Sequence, residues 1–273
     1  MSVIEARFAA ANEKGEGALI VLVVAGHPSP EISLEVMRAV ADAGADILEV
    51  GIPFSDPLAD GPVIQAASQE ALAQQVTPSQ VLDLVQRLRR DRDIPVVIMT
   101  CFNPICQYGI EQFTKRASAA GANGIIVTDL PPEESAGWVA AARAQHLDTI
   151  FLVAPTSTSA RVKKVVDIAS GFVYCVSRMG VTGAQARLPA DLPGFVGRIR
   201  QGTVKPVAVG FGISQPEHVA EVCRIANGAV VGSAVVSLID REKKSAGLLD
   251  SVGQFVSGLK QATKNRGSAG IGT

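Results

Sequence analysis

Two carboxylates frame the stretch EVGIPFSDPLADGP, residues 49–62. Glu49 sits inside the apolar run Ile47-Leu48-Glu49-Val50-Gly51, which reads as a buried strand bounded by Gly and Pro. An unpaired carboxylate in such a run raises its pKa rather than hold a charge in an apolar medium. Asp60 follows eleven residues later, just before Gly61-Pro62, and Pro62 suits the first turn of a helix. The loop between the two acids contains Pro53 and Pro57, which interrupt regular pairing, and a third acid, Asp56. Carboxylates in unlike surroundings are the usual material of an acid/base pair whose pKa values are pushed apart. Plainer roles compete with this one. An acid before a helix is commonly its N-cap, and an acid at a strand end is commonly held in an ion pair.

A second kind of chemistry lies later in the chain. Three glycine-rich segments, SRMGVTG (177–183), GFGIS (210–214) and Gly232-Ser233, each follow an apolar run. Peptide N–H groups unobstructed by side chains can converge on an anion, and a helix N-terminus adds partial positive charge. One such segment alone is commonly a turn; three at successive strand ends point to a phosphate grip. Arg178 is the nearby cation, or else an anchor for its own loop. His27, His146 and His218 are scattered without metal-ligand spacing, and Cys101, Cys106, Cys175 and Cys223 form no CxxC pair. Neither a metal nor a disulfide is expected.

These residues need elements to hold them. Apolar runs at 18–25, 47–51, 94–100, 124–128, 149–153, 172–176, 206–209 and 229–231 read as eight strands. They are near-continuous, as parallel strands buried on both faces should be. Helical patterns at 29–43, 63–74, 78–90, 110–119 and 133–145 alternate with them. The alternation predicts a parallel sheet with right-handed crossovers, and eight repeats favour closure into a single (β/α)8 barrel of the TIM type over an open sheet. An extra helix over 2–14 precedes the first strand, a short one over 234–239 follows the eighth, and a last one covers about 245–263. One barrel domain is expected over 1–264, with a Gly/Ser-rich flexible tail at 265–273. The notable loops all follow strands, on the barrel face that carries sites.

Composition narrows the function. With 47% hydrophobic and 19% charged residues in 273, the chain suits a globular protein. A net charge of -1 without a basic run argues against nucleic acid. No apolar run reaches the roughly 18 residues of a membrane span, and the first residues lack the apolar core of a secretory signal. A cytoplasmic protein with reduced thiols is expected. A carboxylate pair across the mouth from a phosphate grip suggests acid/base work on a phosphorylated small molecule.

EVGIPFSDPLADGP, SRMGVTG, GFGIS and VVGSA, with Asn103-Pro104 and Asp129-Leu130-Pro131, resemble the alpha subunit of tryptophan synthase over about residues 3 to 262. The resemblance implies retro-aldol cleavage of indole-3-glycerol phosphate to indole and glyceraldehyde 3-phosphate. It implies Glu49 as the acid/base at indole C3 and Asp60 as the partner of the indole N–H. It further implies phosphate contacts from Gly183, Phe211, Gly212, Gly232 and Ser233, and an indole pocket of Ile64, Met99, Ile126, Thr128, Leu152 and Tyr174. Arg178 and Thr182 would belong to a loop that closes over substrate. Pro53, Asp56, Asn103 and Pro104 would face a beta subunit that uses pyridoxal phosphate, in an alpha2beta2 heterotetramer. This chain itself would need no cofactor. Three positions depart from the family: Cys101 and Leu22 stand where aromatics are common, which opens the indole end of the pocket, and His27 stands where Asp is common. His27 is read as structural, and Cys101 as a pocket-lining hydrophobe. Alternatives are a stand-alone lyase releasing free indole, a regulatory subunit that only activates the beta chain, and another phosphate-binding barrel such as an isomerase.

Overall fold

Strands rich in Val, Ile and Leu with no polar alternation must be covered on both faces, and the structure does this by closing them on themselves. The computed structural model describes residues 1–177, 188–210 and 212–264. Eight parallel strands form a closed barrel in chain order: β1 Ala18–Val24, β2 Ile47–Gly51, β3 Val96–Thr100, β4 Gly124–Val127, β5 Asp148–Val153, β6 Val173–Val176, β7 Val207–Gly210 and β8 Gly228–Val231. β8 pairs with β1 to complete the ring. The helices are α1 Val3–Glu13, α2 Pro30–Asp42, α3 Pro62–Ala73, α4 Pro78–Arg89, α5 Phe102–Tyr108, α6 Ile110–Ala119, α7 Ala136–Ala144, α8 Ser159–Ile168, α9 Leu192–Gln201, α10 Pro216–Ile225, α11 Ser233–Glu242 and α12 Leu248–Ala262. None is long and apolar enough to cross a membrane.

Alternate residues of each strand feed two separate apolar clusters. Leu19, Val21, Val23, Leu48, Val50, Val96 and Ile98 face outward against the helices. Ile20, Leu22, Val24, Ile47, Val97, Met99, Ile126, Ile150 and Tyr174 face inward. Register sets the inward layers: Leu22 is level with Glu49, and Glu49 with Val97. Glu49 therefore belongs to the interior layer, not to the helix-facing shell.

The N-terminal mouth is closed by α1. Ser2 caps this helix in a reciprocal box with Glu5. Its buried face, Ile4, Phe8 and Ala11, joins the interior cluster. Phe8 meets Phe172 with ring centroids 5.5 Å apart. Gly228 permits this approach, because a Cβ there would lie 2.7 Å from the Ala18 carbonyl oxygen and 2.9 Å from the Phe8 ring.

Several elements differ from the sequence expectation. Residues 102–108 are helical although Asn103-Pro104 reads as a strand end. Pro104 falls in the first turn, where its missing N–H costs no helix bond. The segment 133–145 divides into a 3-10 turn, Pro132–Glu134, and α7, with Ser135 between them. α11 runs to Glu242, past the last apolar residue, because its final turn is an exposed charged one. The tail at 265–273 lies outside the described residues.

Phe8→Ala should remove a ring from a packed interior and cost about 3 kcal/mol. The expected result is an apparent Tm lower by roughly 5–10 °C in a thermal melt followed by circular dichroism.

Candidate active site

The inward register of Glu49, the middle residue of β2, puts its carboxyl inside the barrel, 0% exposed. Among the described residues neither carboxylate oxygen has a hydrogen-bond partner. Burial alone pushes its pKa up to about 8. The ion-pair reading of Glu49 therefore falls, and the residue is a neutral acid at pH 7.

Asp60 is not a helix cap either. Gly61 is the N-cap of α3, without a side-chain cap bond. The backbone carbonyl of Asp60 accepts from Gln65 Nε2 at 2.8 Å, which ties the loop end to the helix. Its carboxyl lines a cavity at the C-terminal mouth together with Leu22, Ile64, Met99, Cys101 and Thr128. Burial raises its pKa to about 6. Two acids on one loop-and-strand unit thus hold different pKa values, about 8 and about 6.

Tyr174 shows that the two share one interior. Its phenol is buried, and its pKa lies well above the usual value, through burial first and then the charges of Glu49, Cys175 and Asp60. Gly210 leaves the space this ring needs: a Cβ there would lie 2.2 Å from Tyr174 Oη. Sequence reading counted Gly210 only within a phosphate segment. Its complement to Tyr174 had no linear signal, since the two meet only through β6–β7 pairing.

Five of the expected ring-binding residues, Leu22, Ile64, Met99, Cys101 and Thr128, line the mouth cavity. Ile126, Leu152 and Tyr174 face the same barrel interior but do not line that cavity. Sequence reasoning missed Val24, Ile52, Phe54 and Ser68, which complete its wall. Cys101 Sγ lies 3.5 Å from Thr128 Oγ1. Burial pushes the Cys101 thiol up to about 11, so it is a wall and not a nucleophile. None of the four cysteines forms a disulfide, and Cys106 is exposed.

After β8, two strands round the ring from β2, Gly232 is the N-cap of α11, and it makes no side-chain cap bond. Ser233 is its first residue. Gly212 adopts φ +81°, a left-handed conformation that favours glycine. Gly232 also lets Leu22 approach, since a Cβ there would meet Leu22 Cδ2 at 3.1 Å. Gly183, Phe211, Arg178 and Thr182 lie outside the described residues.

The profile of the tryptophan synthase alpha chain family matches residues 8–264. The chain belongs to the tryptophan synthase alpha chain family. It is 47% identical over 261 residues to the tryptophan synthase alpha chain of Citrifermentans bemidjiense, covering 96% of this chain and 97% of the relative. It is 45% identical over 265 residues to that of Geobacter sulfurreducens, covering 97% and 100%. Among solved structures, Mycobacterium tuberculosis tryptophan synthase superposes with a TM-score of 0.90 at 35% identity, covering 96% of this chain and 98% of that one. The alpha subunit from Legionella pneumophila gives 0.89 at 34%, covering 97% and 99%.

The loops that tryptophan synthase alpha resemblance assigned to a partner face present themselves unequally. Asp56 and Asn103 are exposed, while Pro53 and Pro104 are buried in this chain. The prolines shape the two loops. Asp129 braces one of them, its carboxylate accepting from the Phe102 N–H at 2.7 Å. His27, as expected, is structural: it is 1% exposed, with Nδ1 2.9 Å from Glu70 Oε2.

Glu49 carries a stability signature. Its folded pKa of about 8 exceeds the ordinary value of 4.5, so the folded state holds the proton more tightly. Stability from this group is full below about pH 4.5 and falls as pH rises through about 8. Glu49→Gln should therefore be the more stable protein above that window, by a few kcal/mol in order of magnitude, and the difference should shrink toward pH 5. Urea denaturation of both proteins at pH 5, 7 and 9 measures it.

Proposed function

We propose that this chain cleaves indole-3-glycerol phosphate to indole and glyceraldehyde 3-phosphate, with Glu49 and Asp60 as its catalytic residues. Family membership supports the reaction. The observation that carries the residue assignment is the unpartnered, fully buried Glu49 sharing one interior with the half-buried Asp60.

The proton inventory agrees with the chemistry. Neutral Glu49 donates its proton to indole C3, which becomes tetrahedral and leaves positive charge at the ring nitrogen. Ionised Asp60 stabilises that charge. The hydroxyl on the carbon attached to C3 then loses its proton to the Glu49 carboxylate and becomes the aldehyde C=O. The bond from that carbon to C3 breaks, and its electron pair restores the aromatic ring. Glu49 ends protonated, so the cycle closes without a metal or cofactor. Cys101 and Leu22 bound the ring end of the pocket. Gly212, Gly232 and Ser233, with Gly183 and Phe211, hold the phosphate as remote binding energy that fixes orientation. Arg178 and Thr182 close the loop over it.

The indole passes to a beta subunit that supplies pyridoxal phosphate chemistry, in a cytoplasmic alpha2beta2 assembly. Asp56 and Asn103 are the exposed contact residues of that reading.

Two measurements test it. Indole release from indole-3-glycerol phosphate, followed with and without a beta subunit, should drop by about 10³ in kcat for Glu49→Gln and by about 10² for Asp60→Asn; absence of indole from the wild type in both conditions rejects the reading. The pH profile of kcat/KM should be bell-shaped. Asp60 ionisation sets the lower limb near about 6, and Glu49 deprotonation the upper limb near about 8.

A further inference from the structure

His27, Glu70, Lys243 and Asp240 are far apart in sequence and meet in one polar cluster beside the barrel. Lys243 Nζ lies 3.1 and 3.0 Å from the two Glu70 oxygens and 2.9 Å from Asp240 Oδ1. His27 Nδ1 closes the other side of Glu70 at 2.9 Å. Burial lowers the His27 pKa against the opposing pull of Glu70, so its imidazole packs against that carboxylate in the neutral form at pH 7. His27, Glu70 and Asp240 each bring one ligand atom within 4.8 Å of the others, the span of a small metal site. The Lys243 ammonium already bridges the two carboxylates, so the cluster carries its own cation.

Its position in the fold is what matters. Glu70 is on α3 and Asp240 is on α11, each about two turns below the first residue of its helix. Lys243 is the C-cap of α11. His27 belongs to the turn after β1, and Gln74 at the end of α3 donates to the carbonyl of Pro28 in the same turn at 2.7 Å. The two helices are packed on each other and on β1. Their upper ends hold the two halves of the site: Asp60 and Ile64 at the start of α3, Gly232 and Ser233 at the start of α11.

We propose that the Glu70–Lys243–Asp240 bridge, backed by His27, is a strut that sets the distance between the acid end and the phosphate end of the site, which makes these four positioning residues for the reaction. The proposal rests on the functional reading above for its kinetic consequence, and on the fold alone for its mechanical one.

Lys243→Met and the conservative Lys243→Arg, compared with the wild type, separate the two. In Lys243→Met, hydrogen exchange should rise about fivefold or more at the first hydrogen-bonded amides of α3 and α11, Gln65 and Val236, about one turn from the altered cluster. KM for indole-3-glycerol phosphate should rise about fivefold, with kcat changed less than twofold. Arg, which spans two carboxylates, should restore both. Glu70→Gln serves as the second variant and should give the same pattern. Faster exchange confined to the cluster itself, with KM unchanged, overturns the strut. If the wild type makes no indole the functional reading fails, and the exchange arm alone then decides the strut.

Discussion

A carboxyl group is held in this barrel where water does not reach it and where no described side chain or peptide group answers it. That costs free energy in the folded state, because the charged form of Glu49 is excluded from its surroundings at neutral pH. A closed ring of parallel strands can bear the cost. Its interior is fixed by register, so Glu49 cannot turn outward without moving Leu22 and Val97, which are level with it. The apolar shell between strands and helices supplies the compensating burial. What results is a carboxyl that keeps its proton at pH 7, in a barrel whose mouth holds a second acid of lower pKa.

The contrast between the two acids comes from depth. Glu49 lies on a strand, in the barrel interior. Asp60 lies at the end of a loop, at the mouth, and is only half-buried. Both are shifted by the same cause, and the smaller shift belongs to the shallower group. A strand end followed by a proline-broken loop therefore yields two proton affinities from one carboxyl chemistry. Tyr174, whose ring fits because residue 210 has no side chain, feels both charges.

Much of this was legible before coordinates. An acid in an uninterrupted apolar run has few innocent explanations, and Glu49 stood out for that reason. The eight apolar runs carried the barrel, since buried parallel strands leave no polar alternation to misread. Asp60 was less clear, because a helix cap and a catalytic acid look alike in sequence; only the shift of the cap to Gly61 separates them. α5 was invisible because Asn103-Pro104 reads as a break, although proline is tolerated in a first turn. The cluster at His27, Glu70, Asp240 and Lys243 left no trace, since its members meet only after β1, α3 and α11 are packed together. The Gly183 and Phe211 side of the phosphate grip lies outside the described residues, so that half of the site stands on motif alone.

The floor of the barrel has its own consequence. Ile4, Phe8 and Ala11 fill the N-terminal opening, and Phe8 rests on Phe172. Among the described residues, the cylinder is thus closed at its N-terminal end. A molecule in the interior is then reached from the C-terminal mouth, where loop 53–60 and α5 lie. A protein seated on that rim would govern departure as well as admission.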